Sequence, residues 1–471
     1  MRPNVFLIVF DTARADAFEP YGAPRGSSPV VADLASRGVA LPASFAPACW
    51  TIPSHASMFT GLPPRTLGLT TAPGGRPAGC RFAMEANRDR LLPEVLRRAG
   101  YETRGVSANL WLTAASGFAT GFEEFASVDT NRQGRLSRGR LRERLEWGVE
   151  CVSASVDDGA GEAEAVLRRW IAADRDRPFF WFVNLVECHS PYLPPRPYND
   201  LGPLDRWRAG EEARRHLTLD AIWRACAGGF DVPAPALERM RHLYGGAIRL
   251  LDDWLGRLLE ALDGASLLDD TLVIVLADHG ENLGEGGLMG HSLSLDDRLL
   301  RVPFVAAGPG APGPNGAWSL TELPPLIARA TGLDSHPWDG TPSQAGVAVA
   351  QLDPPAQPGD PRVSQALEGW GLGEEAAPRI TTAMTCAMDG RLKLMLRGGV
   401  RELYDLEADP LEEAPLDPRS GDPDRLAPLA SALEGAAEAP DLAEEARGEV
   451  PEASEEEVRQ LEDRMRLLGY L

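Results

Sequence analysis

Residues 49–61 read Cys49-Trp50-Thr51-Ile52-Pro53-Ser54-His55-Ala56-Ser57-Met58-Phe59-Thr60-Gly61. A hydroxyl side chain, Thr51, stands two places before a proline, and Ser54-His55 then opens a run compatible with a helix. That places the Thr51 Oγ beside the exposed N–H groups of a helix N-terminus, where an anionic ester group would be held. On its own, Thr51 is equally explained as a plain helix N-cap.

Outward from this segment, short β-branched runs alternate with amphipathic stretches, as in a parallel sheet flanked by helices. Val5-Phe6-Leu7-Ile8-Val9-Phe10 reads as a first buried strand. Helices are expected over 28–38, 91–100 and 162–172, and strands over 102–107, 178–186, 271–277 and 302–307. Apolar residues at Leu237, Met240, Tyr244, Ala247, Leu251, Trp254 and Leu258 approach a 3.6-residue period, so 236–262 should be a long helix packed on the sheet. Proline and glycine dominate 341–361, which reads as a linker or long surface loop. Short strands follow over 379–386, 392–396 and 402–406, with a turn at Gly398-Gly399. Residues 412–455, rich in Pro, Ala and acids, read as poorly ordered. Val458, Leu461, Met465 and Leu468 share a face of a short terminal helix. The expected division is a domain over 1–345 and a C-terminal subdomain over 346–471.

The formal net charge of −22 argues against a nucleic-acid partner, because phosphate-tracking surfaces are basic. No segment approaches the ~20 apolar residues of a membrane span. The opening apolar run is ended at once by Asp11 and is too short for a secretory signal. These features predict a cytoplasmic protein without a membrane partner. Six cysteines (Cys49, Cys80, Cys151, Cys188, Cys226, Cys386) form no CxxC pair and read as free thiols.

Four polar sites fall at strand ends or in the loops just beyond, where open parallel sheets bind ligands. Asp11 follows the first strand, and taken alone is a turn or helix cap. Thr51 is the second. Glu187-Cys188-His189-Ser190-Pro191-Tyr192 follows the apolar strand Pro178-Phe179-Phe180-Trp181-Phe182-Val183-Asn184-Leu185-Val186, and a lone His before Pro-Tyr is commonly structural. Asp278-His279-Gly280-Glu281 ends the next apolar strand, with Gly290-His291 beyond. Adjacent Asp and His at a buried strand end are costly unless paired or bound to metal.

Together the four resemble, in order, the motifs of the sulfatase family of the alkaline phosphatase superfamily. Thr51-Ile52-Pro53-Ser54-His55 resembles its nucleophile element, which runs Cys or Ser, any residue, Pro, Ser, Arg. Arg401-Glu402-Leu403-Tyr404-Asp405-Leu406 resembles its Leu-Tyr-Asp-Leu signature, and Leu467-Leu468-Gly469-Tyr470 its common ending. The resemblance covers nearly the whole chain. It implies an α/β fold with a large mixed, mostly parallel sheet flanked by helices and a small C-terminal antiparallel sheet. It also implies one divalent metal held by Asp11, Asp278, His279 and Thr51, with His189 and His291 flanking a small anionic ester. His291 would stand in for a lysine found in many sulfatases. Two carboxylates and an imidazole suit Mn²⁺ or Zn²⁺ better than Ca²⁺, with Ca²⁺ or Mg²⁺ as the alternatives. A bound cation lowers the pKa of a coordinated hydroxyl, making Thr51 usable as a nucleophile. His189 or His291 could protonate the departing oxygen.

This sequence departs from the family pattern in informative places. Family sulfatases oxidise the Cys or Ser to formylglycine; Thr51 carries a methyl on Cβ and cannot become that aldehyde. Cys49 does not replace it, lacking a proline two positions on. Superfamily members with threonine are phosphodiesterases and phosphoryl-group transferases. The reading is therefore a hydrolase of phosphate mono- or diesters, or a transferase of a phosphoryl-linked group. A sulfuric ester hydrolase without formylglycine is the alternative, and an inactive anion-binding member is the rival from another class. His55 replaces the motif arginine and is counted with the catalytic set, Asn109 is a candidate substrate-binding residue, Thr12 replaces a second Asp, and Leu67 replaces a frequent His. Glu281 reads as a structural hydrogen-bond partner. Segments 130–158 and 198–232, placed to shape the leaving-group pocket, match no pattern.

Overall fold

The computed structural model describes residues 2–70, 78–128, 141–313, 316–339 and 346–438. Its main sheet has seven strands: β1 (Asn4–Phe10), β2 (Val39–Ala40), β3 (Glu102–Ser107), β4 (Glu124–Ser127), β5 (Phe179–Leu185), β6 (Thr271–Leu276) and β7 (Phe304–Ala307), in the order β2-β7-β6-β1-β5-β3-β4. Every neighbouring pair is parallel except those made by β7, which runs against both β6 and β2. β1, β5 and β6 are buried at every residue. Continuous apolar runs of this kind are what a sheet covered on both faces requires. β6, β1, β5 and β3 are adjacent and parallel, so four carboxyl ends open on one edge of the sheet.

The helices Pro29–Ser36, Leu92–Arg98, Ala160–Ala172 and Ala234–Gly264 match the amphipathic stretches. The last runs 31 residues and buries Met240, Tyr244, Ala247, Leu251, Trp254 and Leu258. It also steers the site. Tyr244 OH donates to Thr12 O at 2.8 Å and accepts from Arg14 N at 2.8 Å, fixing the loop after β1. Asp252 on the same helix accepts from Val30 N and Val31 N, capping the Pro29–Ser36 helix.

A four-stranded antiparallel sheet follows: β8 (Ala348–Leu352), β9 (Met384–Met388), β10 (Leu392–Arg397) and β11 (Val400–Asp405). Gly398 and Gly399, at φ 56° and 85°, close the last hairpin, as a two-residue turn with both residues left-handed demands. Three expectations fail here. The 341–361 loop contains buried β8, whose small apolar residues are masked by flanking prolines. The strand expected from 379 begins only at Met384, after a short helix over Ala377–Thr381. Within 412–455, Pro423–Glu438 is a helix whose Leu429, Leu433 and Ala436 are buried against the sheet while Asp424 and Glu434 face outward, and 439–455 lie outside the described residues. The terminal helix expected near 458–468 lies outside the described residues.

The small sheet is tied to the main body through buried charge. Lys393 of β10 donates to Leu295 O and pairs with Glu412 at 2.6 Å; both side chains are almost fully buried. Glu412 in turn accepts from Asp297 N at 2.6 Å. Removing one member leaves an uncompensated buried charge. Glu412→Gln should lower the unfolding free energy by about 3 kcal/mol in urea denaturation. A Lys393→Met/Glu412→Leu double variant should recover at least half of that loss.

Candidate functional site

The Thr51–Thr60 helix is buried at every residue and begins at Thr51, with Trp50 as its extended N-cap residue. Ser54 Oγ donates to Asp278 O at 2.6 Å, locking the helix start against the end of β6. Thr51 Oγ1 therefore lies 3.4 Å from His279 Nε2 and 3.3 Å from Asn109 Nδ2. Asp11, Asp278 and His279 place ligand atoms within 4.8 Å of one another, and none of the three is exposed.

Each carboxylate has one oxygen held by donors and one left over. Asp11 Oδ2 accepts from Asn109 Nδ2 at 2.7 Å and Asn184 Nδ2 at 3.2 Å. Asp278 Oδ1 accepts from Thr12 N at 3.2 Å and His279 N at 2.9 Å. Asp11 Oδ1 and Asp278 Oδ2 are buried without a hydrogen-bond partner among the described residues. His279 Nδ1 faces Gly280 O at 3.0 Å, so that nitrogen carries the proton and Nε2 keeps its lone pair. Nε2 sits 3.9 Å from Asp11 Oδ1 and 3.3 Å from Asp278 Oδ2. Two orphaned carboxylate oxygens and a free imidazole lone pair, converging in a dry site, fit a divalent cation.

His189 and His291 form the mouth. They retain 9% and 8% exposure and Asn109 6%, whereas the cluster beneath has none, so access comes from the histidine side. The His189 and His291 ring centroids are 4.8 Å apart, and His291 lies 4.7 Å from His279. Burial, reinforced by His291, pushes His189 below the ordinary imidazole range. Burial and the same neighbour push His279 down to about 3, as a metal-ligating imidazole needs. Burial also works against the charged form of His291, but the Glu281 carboxylate, 3.1 Å from Nδ1, outweighs it and raises the pKa.

The sulfatase family model matches residues 3–333. The chain belongs to the sulfatase family. The Choline-sulfatase of Rhizobium meliloti is 26% identical over 460 residues, covering 87% of this chain and 81% of the relative. The multifunctional alkaline phosphatase superfamily protein PehA of Trinickia caryophylli is 30% identical over 151 residues, 28% of this chain and 29% of that one. The phosphonate monoester hydrolase of Agrobacterium radiobacter superposes with a TM-score of 0.61 at 20% identity, over 98% of this chain and 96% of that one, and shows the same fold. This sulfatase-family chain is accordingly an ester hydrolase of the alkaline phosphatase superfamily.

His55 sits differently from the catalytic place expected of it. Its ring is fully buried against Phe59, Phe118 and Phe182. Nδ1 faces Thr51 O at 3.1 Å and Asp278 Oδ2 at 3.3 Å, and Nε2 accepts from Asn184 Nδ2 at 3.4 Å. Both nitrogens are used below the site, so His55 positions the helix start and cannot reach a substrate. Leu67 is core. Asn184, which holds Asp11 and His55 together, was not singled out in the sequence; its signal is one amide inside an otherwise apolar strand. Arg14 turns away from the cluster to Asp16 and Glu285.

Elemental analysis of the purified protein should find about one divalent ion per chain, and Asp278→Asn should abolish it. Asn184→Ala, which touches no ion, should weaken metal affinity ~10–100-fold in a competition titration.

Proposed function

We propose that this sulfatase-family hydrolase cleaves phosphate mono- or diesters of small anionic substrates with Thr51 as nucleophile. The observation that carries the reading is the Thr51 hydroxyl itself. It opens a buried helix, faces His279 and Asn109, and belongs to a residue whose Cβ methyl bars conversion to an aldehyde. A divalent cation held by Asp11, Asp278, His279 and Thr51 would lower the hydroxyl pKa and offset charge on the ester oxygens. Mn²⁺ or Zn²⁺ suits the donor set best.

Asn109 positions the nucleophile. Its Oδ1 accepts from Trp111 N at 2.8 Å, so its amide hydrogens point to Asp11 Oδ2 and Thr51 Oγ1. That bond leaves Oγ1 an acceptor and stabilises it once deprotonated. Oγ1, its proton released to solvent, attacks phosphorus, the bond to the leaving oxygen breaks, and His291 supplies the proton that oxygen needs. The Nδ1–H of His291 is held by Glu281, leaving Nε2 to donate. Water then attacks phosphorus, giving one proton to His291 and keeping the other as the Thr51 ester breaks, and Oγ1 recovers from solvent the proton it released. His189, with a lowered pKa, stays neutral beside the leaving group and orients it.

A sulfuric ester hydrolase working without formylglycine is the second reading, supported by the similarity to a choline-sulfatase over most of both chains. Rates on an aryl phosphate, a bis-aryl phosphate and an aryl sulfate separate the two. Turnover of the sulfate alone would overturn the phosphate reading. Thr51→Ala should lower turnover of every cleaved ester at least ~10³-fold; survival of the activity would remove Thr51 as nucleophile. His291→Gln should cost ~10²–10⁴-fold on an alkyl leaving group and far less on 4-nitrophenoxide, which needs no proton.

A further inference from the structure

His291 and its partner Glu281 stand at the open end of a small β-hairpin. Its two-residue strands, Asn282–Leu283 and Met289–Gly290, pair antiparallel with Asn282 opposite Gly290. Glu281 and His291 are the next residues outward, with Glu281 Oε1 3.1 Å from His291 Nδ1. Two strands this short are too few to hold a histidine in one place unaided. The loop leaving His291 is also strained: Leu293 sits at φ 53°, a left-handed conformation disfavoured for a residue with a Cβ. Such a conformation persists only where neighbouring bonds over-determine it.

Two of those bonds are close by: Ser294 Oγ donates to Asp296, and Cys226 Sγ donates to Ser292 O at 3.3 Å. The others come from the C-terminal subdomain. Lys393 of β10 donates to Leu295 O, and Glu412, paired with it at 2.6 Å, accepts from Asp297 N. Arg298 makes a second link, its Nη1 donating to Pro410 O at 3.1 Å and its Nε to Asn282 Oδ1 at 3.2 Å. The guanidinium thus joins the 409–412 turn to the register pair beside the His291–Glu281 contact. The backing is close, since an added Cβ on Gly280 would meet Arg298 O at 1.9 Å. An apolar pair could fill the space of Lys393 and Glu412, but it would offer no donor to Leu295 O and no acceptor to Asp297 N. What the charged pair adds is a fixed place for that backbone.

We propose that Lys393, Glu412 and Arg298 are positioning residues for His291, through which the C-terminal subdomain aims the proton donor at the leaving oxygen. Each acts through Asn282 or the 291–298 backbone, not on the substrate. The inference rests on the reading of His291 as proton donor. A displacement of about 1 Å at a reacting group can cost ~10²-fold. Releasing this clasp therefore falls on esters whose leaving group needs a proton.

Rates of the full chain on butyl and 4-nitrophenyl phosphate test this (on the matching sulfates if only those turn over). In Lys393→Met/Glu412→Leu the aryl-to-alkyl ratio of kcat should rise at least ~10-fold, toward the ratio shown by His291→Gln. Arg298→Lys keeps the charge facing Asp296 but cannot reach Asn282 and Pro410 together, and should raise the ratio in the same direction. It carries the test if near-UV circular dichroism finds the double variant unfolded. Adding Lys393→Met/Glu412→Leu to His291→Gln should raise the ratio no further. A ratio that stays at the parent value in a folded variant, even with both rates lowered, makes the clasp merely structural and overturns the inference. A further rise in the His291→Gln background overturns it equally, because the residues would then act elsewhere. If His291→Gln itself leaves the ratio unchanged, the proton-donor reading fails first and the inference falls with it.

Discussion

Two buried carboxylates face each other at the end of the central sheet, and the rest of the site is arranged around their repulsion. β1 and β6 are neighbours in a register that pairs Val9 with Leu276, so Asp11 and Asp278 each lie two residues past that pair. Their burial would be costly as bare anions. Backbone N–H groups and the amides of Asn109 and Asn184 satisfy one oxygen of each, and the remaining pair point toward an imidazole lone pair. That geometry holds only while four parallel strands keep their register, which is why the apolar core and the site cannot be considered separately.

Much of the architecture was legible because parallel strands buried on both faces are written as unbroken apolar runs, and each of β1, β5 and β6 is followed within four residues by a polar residue of the site. Asp278-His279 could be read from local sequence because nothing else justifies that pair at a buried strand end. What escaped reading did so for physical reasons. The direction of β7 leaves no mark in its own residues. β8 is short and lies among prolines. The role of His55 depends on Phe118 and Phe182, far from it in sequence, as well as on Phe59 one turn along its own helix, and Asn184 is an amide whose partners come from the loop after β1 and the Thr51–Thr60 helix. The helix Leu141–Ser153 defied pattern reading because apolar residues occupy two opposed faces of it, so neither stripe dominates.

The exchange of arginine for His55 alters the electrostatics beneath Thr51. A guanidinium there would hold a permanent positive charge close to Thr51 O and Asp278. The imidazole, accepting from Asn184 and donating toward Thr51 O, adds hydrogen bonds without that charge. Thr51 and His55 thus change together the hydroxyl presented at the helix start and the field in which it is held. The fold leaves both exchanges room because the helix start is fixed independently by Ser54 on Asp278 O.

The loop that carries His189 has a further anchor in Glu187, fully buried and accepting from Asp158 N and Ala160 N at the head of the Ala160–Ala172 helix. Arg196 N, just past the same loop, donates to Ala154 O. These bonds clamp the point where the Leu141–Ser153 helix rejoins the fold. Sequence between the end of β4 and Asp158 can therefore drift in length and composition while the backbone aiming His189 stays still, in the manner of a cassette with a fixed socket. Changes in that segment can then accumulate while the Asp11, Asp278 and His279 centre is inherited intact.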